Sequence, residues 1–364
     1  MENLIVLFDI YTAHKKISKH RKRLIVIGIM GTYGKSSVKD ILTTGFKTKY
    51  NTCISPNNSN TIKGILRSIK YDLEDHHDIL ILELDIKKYI NSKLIEKYIK
   101  FDYLIHTGKD VSKLDYIRDL KHMDIIEKNI INAVKEEGKL LINVNNDYSK
   151  EMLKKKYKTN IVPIDIDNEK SPIYLKNIKQ GLDFTQFKFI SAKCSIDTKT
   201  KLLGRQAVEN IAISTYIFLD MNYQCGEIEQ IITEIKTITG RLEYKTKDNN
   251  QHVIDNSKHN SINAFMSANQ YIQALDFKNK ILITSGIQNL NQTQVLQNML
   301  ISKNIYKSFT KCILIKNRTT EKLYKFLLEE GFDKKDIVVI NSEEEVEKSL
   351  PKTDEESIIL VNSL

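Results

Sequence analysis

The sequence has few of the features that mark secreted or membrane-spanning proteins. Its 364 residues include four cysteines, at 53, 194, 225 and 312, and no two of them have the close spacing of a metal-ligand pair. We therefore expect no disulfide and no zinc site, and a reducing, cytoplasmic setting. No apolar run reaches the ~18 residues that cross a bilayer. The short apolar run at 3–8 follows an acidic residue, unlike a signal peptide.

Positive charge is in modest excess: the chain has 56 lysines and arginines and 46 aspartates and glutamates, which gives a net charge of +10. The excess is mostly lysine spread along the chain. One short basic cluster, at 19–23, has no aromatic residues interleaved with it. Nucleic-acid recognition usually combines a concentrated basic surface with aromatic or polar base contacts. The sequence therefore predicts no nucleic-acid partner and no membrane partner.

Apolar strand-like runs alternate with helical patterns, which favours an α/β fold with a parallel sheet. The polar–apolar alternation of 174–195 predicts an antiparallel meander at one sheet edge. Helices are predicted at 35–46, 115–137, 206–219 and 227–238, and strands at 24–28, 79–83, 103–106, 140–143, 253–254, 281–284, 312–315, 337–340 and 358–361.

The stretch G-I-M-G-T-Y-G-K-S-S-V-K-D at 28–40 joins the first predicted strand to the first predicted helix. Backbone N–H groups at such a helix N-terminus converge on phosphate oxygens, and Lys35 adds a positive charge. Ser36 can ligate Mg²⁺ through its hydroxyl. The alternative is a plain strand–helix turn with Lys35 in solvent. The coincidence of strand, glycines and Lys-Ser favours a phosphate-binding loop.

The spacing of this loop resembles that of the Mur ligase superfamily, G-[ST]-x-G-K-[ST]-[ST]. Four later segments resemble the family in the same order: 81–84 around Glu83, 203–210 ending at Asn210, 239–243 around Arg241, and 253–260 with Asp255. The segment 55–60 also resembles the loop after the family's first helix. The likeness runs from about residue 23 to the end. It is strongest to the branch that adds D-alanyl-D-alanine to a muramyl tripeptide in Gram-positive bacteria.

The resemblance implies the domain organisation. A short lead-in at 1–22 would precede a phosphate-loop, parallel-sheet ATPase domain with an antiparallel edge meander at 23–239. A smaller Rossmann-like α/β domain would follow at 240–364. Because only about 22 residues precede the first predicted strand, we expect the family's UDP-binding first domain to be absent. A partner protein could then supply that substrate-binding part.

The resemblance also implies ATP and Mg²⁺ as cofactors and assigns site residues. Mg²⁺ would be held by Ser36 and Glu83, and the proposed catalytic residues are Lys35, Glu83, Lys113 and Arg241. The nucleotide-binding residues would be Gly31, Thr32, Tyr33, Gly34, Lys35, Ser36, Ser37, Asn210, Arg241 and Asp255.

Several positions depart from the family pattern. Lys113 falls where relatives carry a histidine ligand for a second magnesium ion. The carbamylated lysine of many relatives falls at Glu127 or Lys128, and the two remain alternatives. Gln206 replaces a histidine, and Gln288-Asn289-Leu290 replaces an acidic segment associated with the amine substrate. A histidine placed like His259 is more often a structural loop residue than a catalytic one, and both roles remain alternatives.

Three functions are compatible with these patterns. The first is an ATP-dependent carboxylate–amine ligase that makes an amide through an acyl phosphate, with amino-acid or peptide substrates and cell-wall-precursor chemistry. The second is a nucleotide-binding homologue without strong catalysis that acts as a partner or regulator. The third is an unrelated phosphate-loop ATPase acting on nucleic acid, which would not account for the later motifs. The ligase is the leading hypothesis.

Overall fold

The computed structural model describes residues 2–20, 24–55, 60–109, 117–144, 147–247, 250–258, 261–288, 294–351 and 355–363. The chain divides into two compact units, which are described separately below. The first consists of Met1–Asn177, Phe187–Thr198 and Glu209–Glu234, and the second of Ile178–Gln186, Lys199–Val208 and Ile235–Leu364. The last change of unit falls at 234/235, whereas the sequence predicts a single boundary near Gly240.

The first unit is built on a parallel six-stranded sheet in the order β2-β3-β1-β4-β5-β6. The central strands β1 and β3 are mostly Ile, Leu and Val and are buried on both faces, as is usual in parallel sheets covered by helices. The strands are β1 (Ile25–Met30), β2 (Thr52–Ile54), β3 (Ile79–Glu83), β4 (Phe101–His106), β5 (Val134–Asn143) and β6 (Asn160–Ile164).

Eight α-helices among the described residues accompany this sheet and the meander that follows it. They are α1 (Glu2–Ser18), α2 (Lys35–Phe46), α3 (Ile62–Arg67), α4 (Tyr89–Tyr98), α5 (Ile117–Ile131), α6 (Asp147–Lys154), α7 (Arg205–Asp220) and α8 (Cys225–Glu234); a π-helical turn, Ser68–Asp72, continues α3. The lead-in is thus mostly a helix, which sequence reasoning missed. Its Val6, Ile10 and Ala13 belong to the core of this unit.

The predicted helix at 115–137 is too long, because residues 134–137 belong to β5. Lys135, Glu136 and Glu137 are good helix formers, but pairing of Val134 with Phe101 of β4 overrides that preference. The predicted helix at 227–238 likewise ends at Glu234. The helix predicted at 206–219 is confirmed by α7.

The predicted meander is present as a separate three-stranded sheet of β7 (Ile173–Gln180), β8 (Thr185–Ser191) and β9 (Ser195–Thr200), in that order. Tight turns connect its strands: Gly181 N donates to Phe184 O, and Ser191 N donates to Cys194 O. Cys194 forms a disulfide with Cys225, their Cα atoms 5.6 Å apart. The expectation of no disulfide is therefore wrong, because the fold brings together cysteines that are distant in sequence.

The second unit contains a six-stranded sheet in the order β10-β11-β15-β12-β13-β14. All neighbours are parallel except the hairpin of the first two strands. The strands are β10 (Glu243–Lys247), β11 (Gln251–Asn256), β12 (Asn279–Thr284), β13 (Lys311–Ile315), β14 (Ile337–Ile340) and β15 (Ser357–Asn362). Its α-helices are α9 (Ile262–Ala274), α10 (Gln294–Ser308), α11 (Arg318–Glu329) and α12 (Val346–Ser349), with 3₁₀ turns at Lys334–Asp336 and Glu343–Glu345.

These two sheets confirm the predicted α/β fold, including the five strands predicted in the second half. The antiparallel strand β10 was not predicted. Among the described residues, no helix is both long and apolar enough to cross a membrane.

Candidate nucleotide and metal site

The loop between β1 and α2 has a backbone that only glycine accommodates at two positions. Gly31 has φ 131° and Gly34 has φ 77°. A Cβ at Gly31 would lie 2.3 Å from Thr107 Oγ1 and 2.7 Å from Gly108 O, well inside van der Waals contact. These glycines therefore let the loop close tightly over the end of β4.

The helix N-terminus at the end of this loop is open to a ligand. Gly34 is the N-cap residue of α2 and provides no side-chain cap, and the first turn of α2 contains no acidic residue. The first amide groups of a helix have no intrahelical acceptor. The Lys35 ammonium donates to Gly31 O at 2.8 Å, so it curls back across the loop. A helix N-terminus without a side-chain cap and with a lysine beside it has the features of a phosphate-binding site.

Ser36 and Glu83 are brought together by the sheet register, which pairs Ile29 of β1 with Glu83 at the end of β3. Ser36 Oγ lies 3.2 Å from both carboxylate oxygens of Glu83. Two cis oxygens around an octahedral Mg²⁺ with ~2.1 Å bonds are about 3 Å apart. The spacing of these two side chains is therefore compatible with their binding one Mg²⁺ ion together.

Lys39 is a site residue that sequence reasoning missed. It is only 1% exposed, and its Nζ lies 3.3 Å from Glu83 Oε2 and 3.3 Å from Ser55 O. Ser55 Oγ in turn accepts from Glu83 N at 3.3 Å. A signal existed, because Lys39 lies on the same helix side as the buried Val38 and Leu42. A lysine in that position must find a buried partner.

The segment after β4 supports the loop through hydrogen bonds of Thr107 and Gly108. Thr107 Oγ1 lies 3.2 Å from Met30 O and hydrogen-bonds Tyr33 O, and Thr32 N donates to Gly108 O at 2.8 Å. Gly108 itself has φ 130°, and a Cβ there would meet the Tyr33 hydroxyl at 2.3 Å. Thr32 and Tyr33 are thus held by backbone contacts, which their sequence motif alone does not reveal.

Asn210, on α7, lies against the same loop. A Cβ at Gly34 would be 2.9 Å from Asn210 Oδ1. The side chain is buried, yet Oδ1 has no hydrogen-bond partner among the residues that the structure describes. A buried acceptor without a partner is costly unless a ligand satisfies it. The structure thus brings Asn210, Glu83 and loop residues 31–37 together in the first unit.

Comparison with known proteins identifies the family of this chain. The family model of the Mur ligase middle domain matches residues 29–218, more than half of the chain. The chain belongs to the Mur ligase family. The match begins in β1 and ends in α7, so it covers every element that positions the loop, Glu83 and Asn210.

Individual Mur ligases are similar over a larger part of the chain. The UDP-N-acetylmuramoyl-tripeptide–D-alanyl-D-alanine ligase of Borreliella burgdorferi is 26% identical over 79% of this chain and 61% of its own length. The UDP-N-acetylmuramoyl-L-alanyl-D-glutamate–2,6-diaminopimelate ligase of Buchnera aphidicola from Schizaphis graminum is 24% identical over 61% of this chain and 48% of its own length. The chain thus spans about half to three-fifths of these curated relatives.

Solved Mur ligase structures share the fold. MurF ligase from Thermotoga maritima, in complex with ADP, superposes with a TM-score of 0.81 at 18% identity, covering 98% of this chain and 80% of that one. MurF from Acinetobacter baumannii gives 0.81 at 14% identity, with 99% and 77% covered.

Of the two candidates for the family's carbamylated-lysine position, only Glu127 is buried; Lys128 is exposed. Glu127 Oε1 lies 3.3 Å from Lys109 Nζ and 4.0 Å from His106 Nε2, and Oε2 accepts from the Tyr148 hydroxyl at 2.5 Å. Burial acts to raise the pKa of Glu127, but His106, Lys109 and Tyr148 outweigh it and hold the pKa below its usual value. Lys113 lies outside the described residues.

The remaining predicted residues belong to the second unit. Arg241 N donates to Ile238 O at 3.0 Å in the turn before β10. Asp255, in β11, accepts from Lys245 Nζ at 2.6 Å and from Ser257 N at 2.9 Å. Burial acts to raise the pKa of Asp255, but these partners hold it below its usual value. The Asp255 carboxylate is therefore ionised at neutral pH. His259, Asn289 and Leu290 lie outside the described residues, and Gln288 Nε2 donates to Ser285 O at 3.3 Å.

Proposed function

We propose that this protein is an ATP-dependent carboxylate–amine ligase that forms an amide through an acyl phosphate and releases ADP and phosphate. One observation carries the proposal: in a chain of the Mur ligase family, Ser36 and Glu83 face each other at 3.2 Å beside a phosphate-binding helix N-terminus. The relatives described above are named as ligases of UDP-N-acetylmuramoyl peptides. The substrates proposed here are accordingly an amino-acid or peptide carboxylate and amine.

The residues of the candidate site have distinct roles in this reaction. The first amide groups of α2 bind phosphate oxygens, and Lys35 moves from Gly31 O to the phosphates. Ser36 and Glu83 hold Mg²⁺, which when bound neutralises charge on the transferring phosphoryl group. Asn210 Oδ1 accepts a hydrogen bond from the nucleotide. The role of Arg241, contact with the phosphates, rests on the family resemblance alone.

The bonds formed and broken balance with these roles. A substrate carboxylate oxygen attacks the γ-phosphorus, the bond to the β-phosphate oxygen breaks, and ADP leaves. The amine nitrogen then attacks the acyl carbon, phosphate leaves with the bonding pair, and the nitrogen loses a proton. Lys35 and the helix N-terminus stabilise the charge on the phosphoryl oxygens during the first transfer.

A second candidate, a nucleotide-binding homologue with weak or no catalysis that acts as a partner or regulator, is favoured by one observation. Glu127, the buried one of the two candidates for the family's carbamylated-lysine position, is paired with Lys109 at 3.3 Å. A carboxylate held in an ion pair in place of the modified lysine is compatible with relaxed chemistry.

The experiment that tests the proposal is product analysis with Mg-ATP over pools of carboxylates and amines. We expect repeated turnover to ADP and phosphate only when both pools are present, because the amine must displace phosphate from the acyl phosphate before the next cycle. Lys35→Ala should abolish product and weaken ATP binding at least about tenfold, because it removes the mobile cation of the loop. Lys47→Ala is the matched control, since Lys47 follows the other end of α2 with a side chain 58% exposed.

The possible outcomes separate the two candidates. Tight ATP binding without ADP formation in any pool would favour the non-catalytic homologue. AMP and pyrophosphate as products would contradict phosphoryl transfer and overturn the ligase proposal. Unchanged ATP affinity in a folded Lys35→Ala variant would overturn the loop assignment itself.

A further inference from the structure

Lys109 is a buried lysine whose charge is surrounded by acceptors. It is 3% exposed, and its ammonium lies 3.3 Å from Glu127 Oε1, 3.3 Å from Asp124 Oδ1 and 2.9 Å from the Tyr148 hydroxyl. The same ammonium lies 4.2 Å from the centroid of the Tyr148 ring. Removing a lysine from water to this degree is costly, so these partners must hold it firmly.

Both oxygens of the Glu127 carboxylate, which Lys109 contacts, have polar partners in the protein. Glu127 Oε1 faces Lys109, and Oε2 accepts from the Tyr148 hydroxyl at 2.5 Å. Burial, with the charges of Glu127 and Asp124, raises the pKa of Tyr148, so the hydroxyl keeps its hydrogen and remains a donor. Neither oxygen of Glu127 is left with only solvent as its neighbour.

A second magnesium ion, for which relatives carry a histidine ligand at the position of Lys113, does not fit at Glu127. An ion bound to Glu127 Oε1 at ~2.1 Å would lie within about 5 Å of an ammonium that water does not screen. Among the described residues, no three His, Cys, Asp or Glu side chains are grouped to hold a metal ion. Charge and ligand supply therefore both disfavour a metal ion at Glu127.

We propose that Lys109 takes the place of a second metal ion: its ammonium is the fixed positive charge at Glu127, and the nucleotide site works with one divalent ion, at Ser36 and Glu83. This inference rests on the proposed nucleotide site. It makes Lys109 a positioning residue, because the ammonium acts on the site through its neighbours in the chain and not by touching the nucleotide.

The chain around Lys109 shows how such an effect reaches the loop. Gly108, the preceding residue, accepts from Thr32 N at 2.8 Å, and its carbonyl oxygen would lie 2.7 Å from a Cβ at Gly31. The ion pairs of Lys109 with α5 therefore anchor the backbone on which the phosphate loop rests. A covalently attached cation also keeps this anchor at any metal concentration.

The inference predicts a metal count, which can be measured without turnover. Binding of Mn²⁺ to the full chain with ADP would be titrated by electron paramagnetic resonance of the free ion. The variants are Glu127→Gln and Lys109→Met, with Lys155→Met as the matched control. Lys155 Nζ contacts Asp124 Oδ2 at 3.3 Å, but its side chain is 45% exposed.

We expect one Mn²⁺ per chain for the wild type, Glu127→Gln and Lys155→Met. Lys109→Met should bind a second Mn²⁺ in the millimolar range or tighter, because Asp124 and Glu127 then lose the buried ammonium that contacts both of them, and only the half-exposed Lys155 remains beside Asp124. Two ions in the wild type, one of them lost in Glu127→Gln, would overturn the proposal. A folded Lys109→Met that binds no additional ion would also contradict it.

Two further measurements keep this test independent of other failures. If Lys109→Met does not fold, the comparison of the wild type with Glu127→Gln still decides whether a metal ion uses Glu127. If ADP does not bind, the proposed function fails. The Mn²⁺ titrations without nucleotide then still show whether removal of Lys109 creates a new metal site.

Discussion

Glu83 contacts a neutral hydroxyl and a buried cation at once. Ser36 Oγ lies 3.2 Å from both of its oxygens, and Lys39 Nζ lies 3.3 Å from Oε2. The lysine thus occupies the side of Oε2, and Oε1 is the oxygen better placed to bind Mg²⁺ with Ser36. Glu83 therefore serves both the stability of the site and its metal affinity, and two substitutions separate these roles.

Glu83→Gln should remove most of the magnesium dependence of ADP affinity, because an amide oxygen is a much weaker ligand than a carboxylate. Metal-free ADP affinity should change little, while Mg²⁺ should bind at least about tenfold more weakly. Calorimetry of ADP binding across a Mg²⁺ titration measures both. Identical Mg²⁺ responses of variant and wild type would make Glu83 a structural residue only. Glu74→Gln, at an exposed carboxylate, is the control.

Lys39→Met should destabilise the protein by about 3–5 kcal/mol, since it leaves the buried Glu83 carboxylate without its cation. The double variant Lys39→Met/Glu83→Gln should lose much less stability, because no uncompensated charge then remains. Urea unfolding followed by circular dichroism measures the difference. Additive costs in the double variant would show that the two side chains are not coupled.

At the scale of elements, the phosphate loop depends on its contact with the end of β4. Gly31→Ala should therefore weaken ADP binding about tenfold or more, because φ 131° is strained for alanine and its Cβ would strike Thr107 and Gly108. Gly226→Ala, near the start of α8, is the control: its Cβ would meet no atom within 4 Å. That change should leave ADP affinity unchanged. Equal ADP affinities of the Gly31→Ala variant and the wild type would contradict the tight approach seen here.

The contact between α5 and the end of β4 should show a pH signature. The pKa of Glu127 is below its usual 4.5 in the folded protein. Its stabilising contribution is therefore complete above about pH 4.5 and is lost as pH falls through the folded value. Glu127→Gln should be less stable than the wild type at neutral pH, and this deficit should shrink in acid. Urea unfolding from neutral pH to about pH 3 tests this; a deficit independent of pH would contradict it. Glu136→Gln, at an exposed position, is the control.

The elements differ in how far sequence could predict them. The loop and the strands around it were predictable because glycine spacing and apolar runs are local signals. For Lys39 the one local signal was its place on the apolar side of α2. Lys109 was not predictable, since a lysine is ordinarily exposed and only tertiary contacts reveal its burial. The strand residues 134–137 were missed for the same reason: pairing with β4 decides their conformation, against their helix preference.

At the scale of the whole molecule, the formal net charge is +10, and several of the lysines are paired with nearby carboxylates. Lys135 contacts Asp102 at 2.8 Å, Lys49 contacts Glu227 at 2.8 Å, and Lys245 contacts Asp255 at 2.6 Å. Such pairs contribute little stability individually, but they distribute positive charge among carboxylates. A charge distributed in this way attracts polyanions without selecting among them.

We therefore expect duplex DNA to bind only weakly, with an apparent Kd above about 100 µM at 0.15 M salt, and without displacing Mg-ADP. Release of counterions should make this binding steeply salt-dependent. Fluorescence anisotropy of a labelled duplex, with polyglutamate as a competitor of similar charge, measures it. Polyglutamate should compete as well as unlabelled DNA, because charge alone drives the association. Binding that resists polyglutamate at 0.15 M salt, or that displaces Mg-ADP, would instead indicate a nucleic-acid site and would revive the hypothesis of an ATPase acting on nucleic acid.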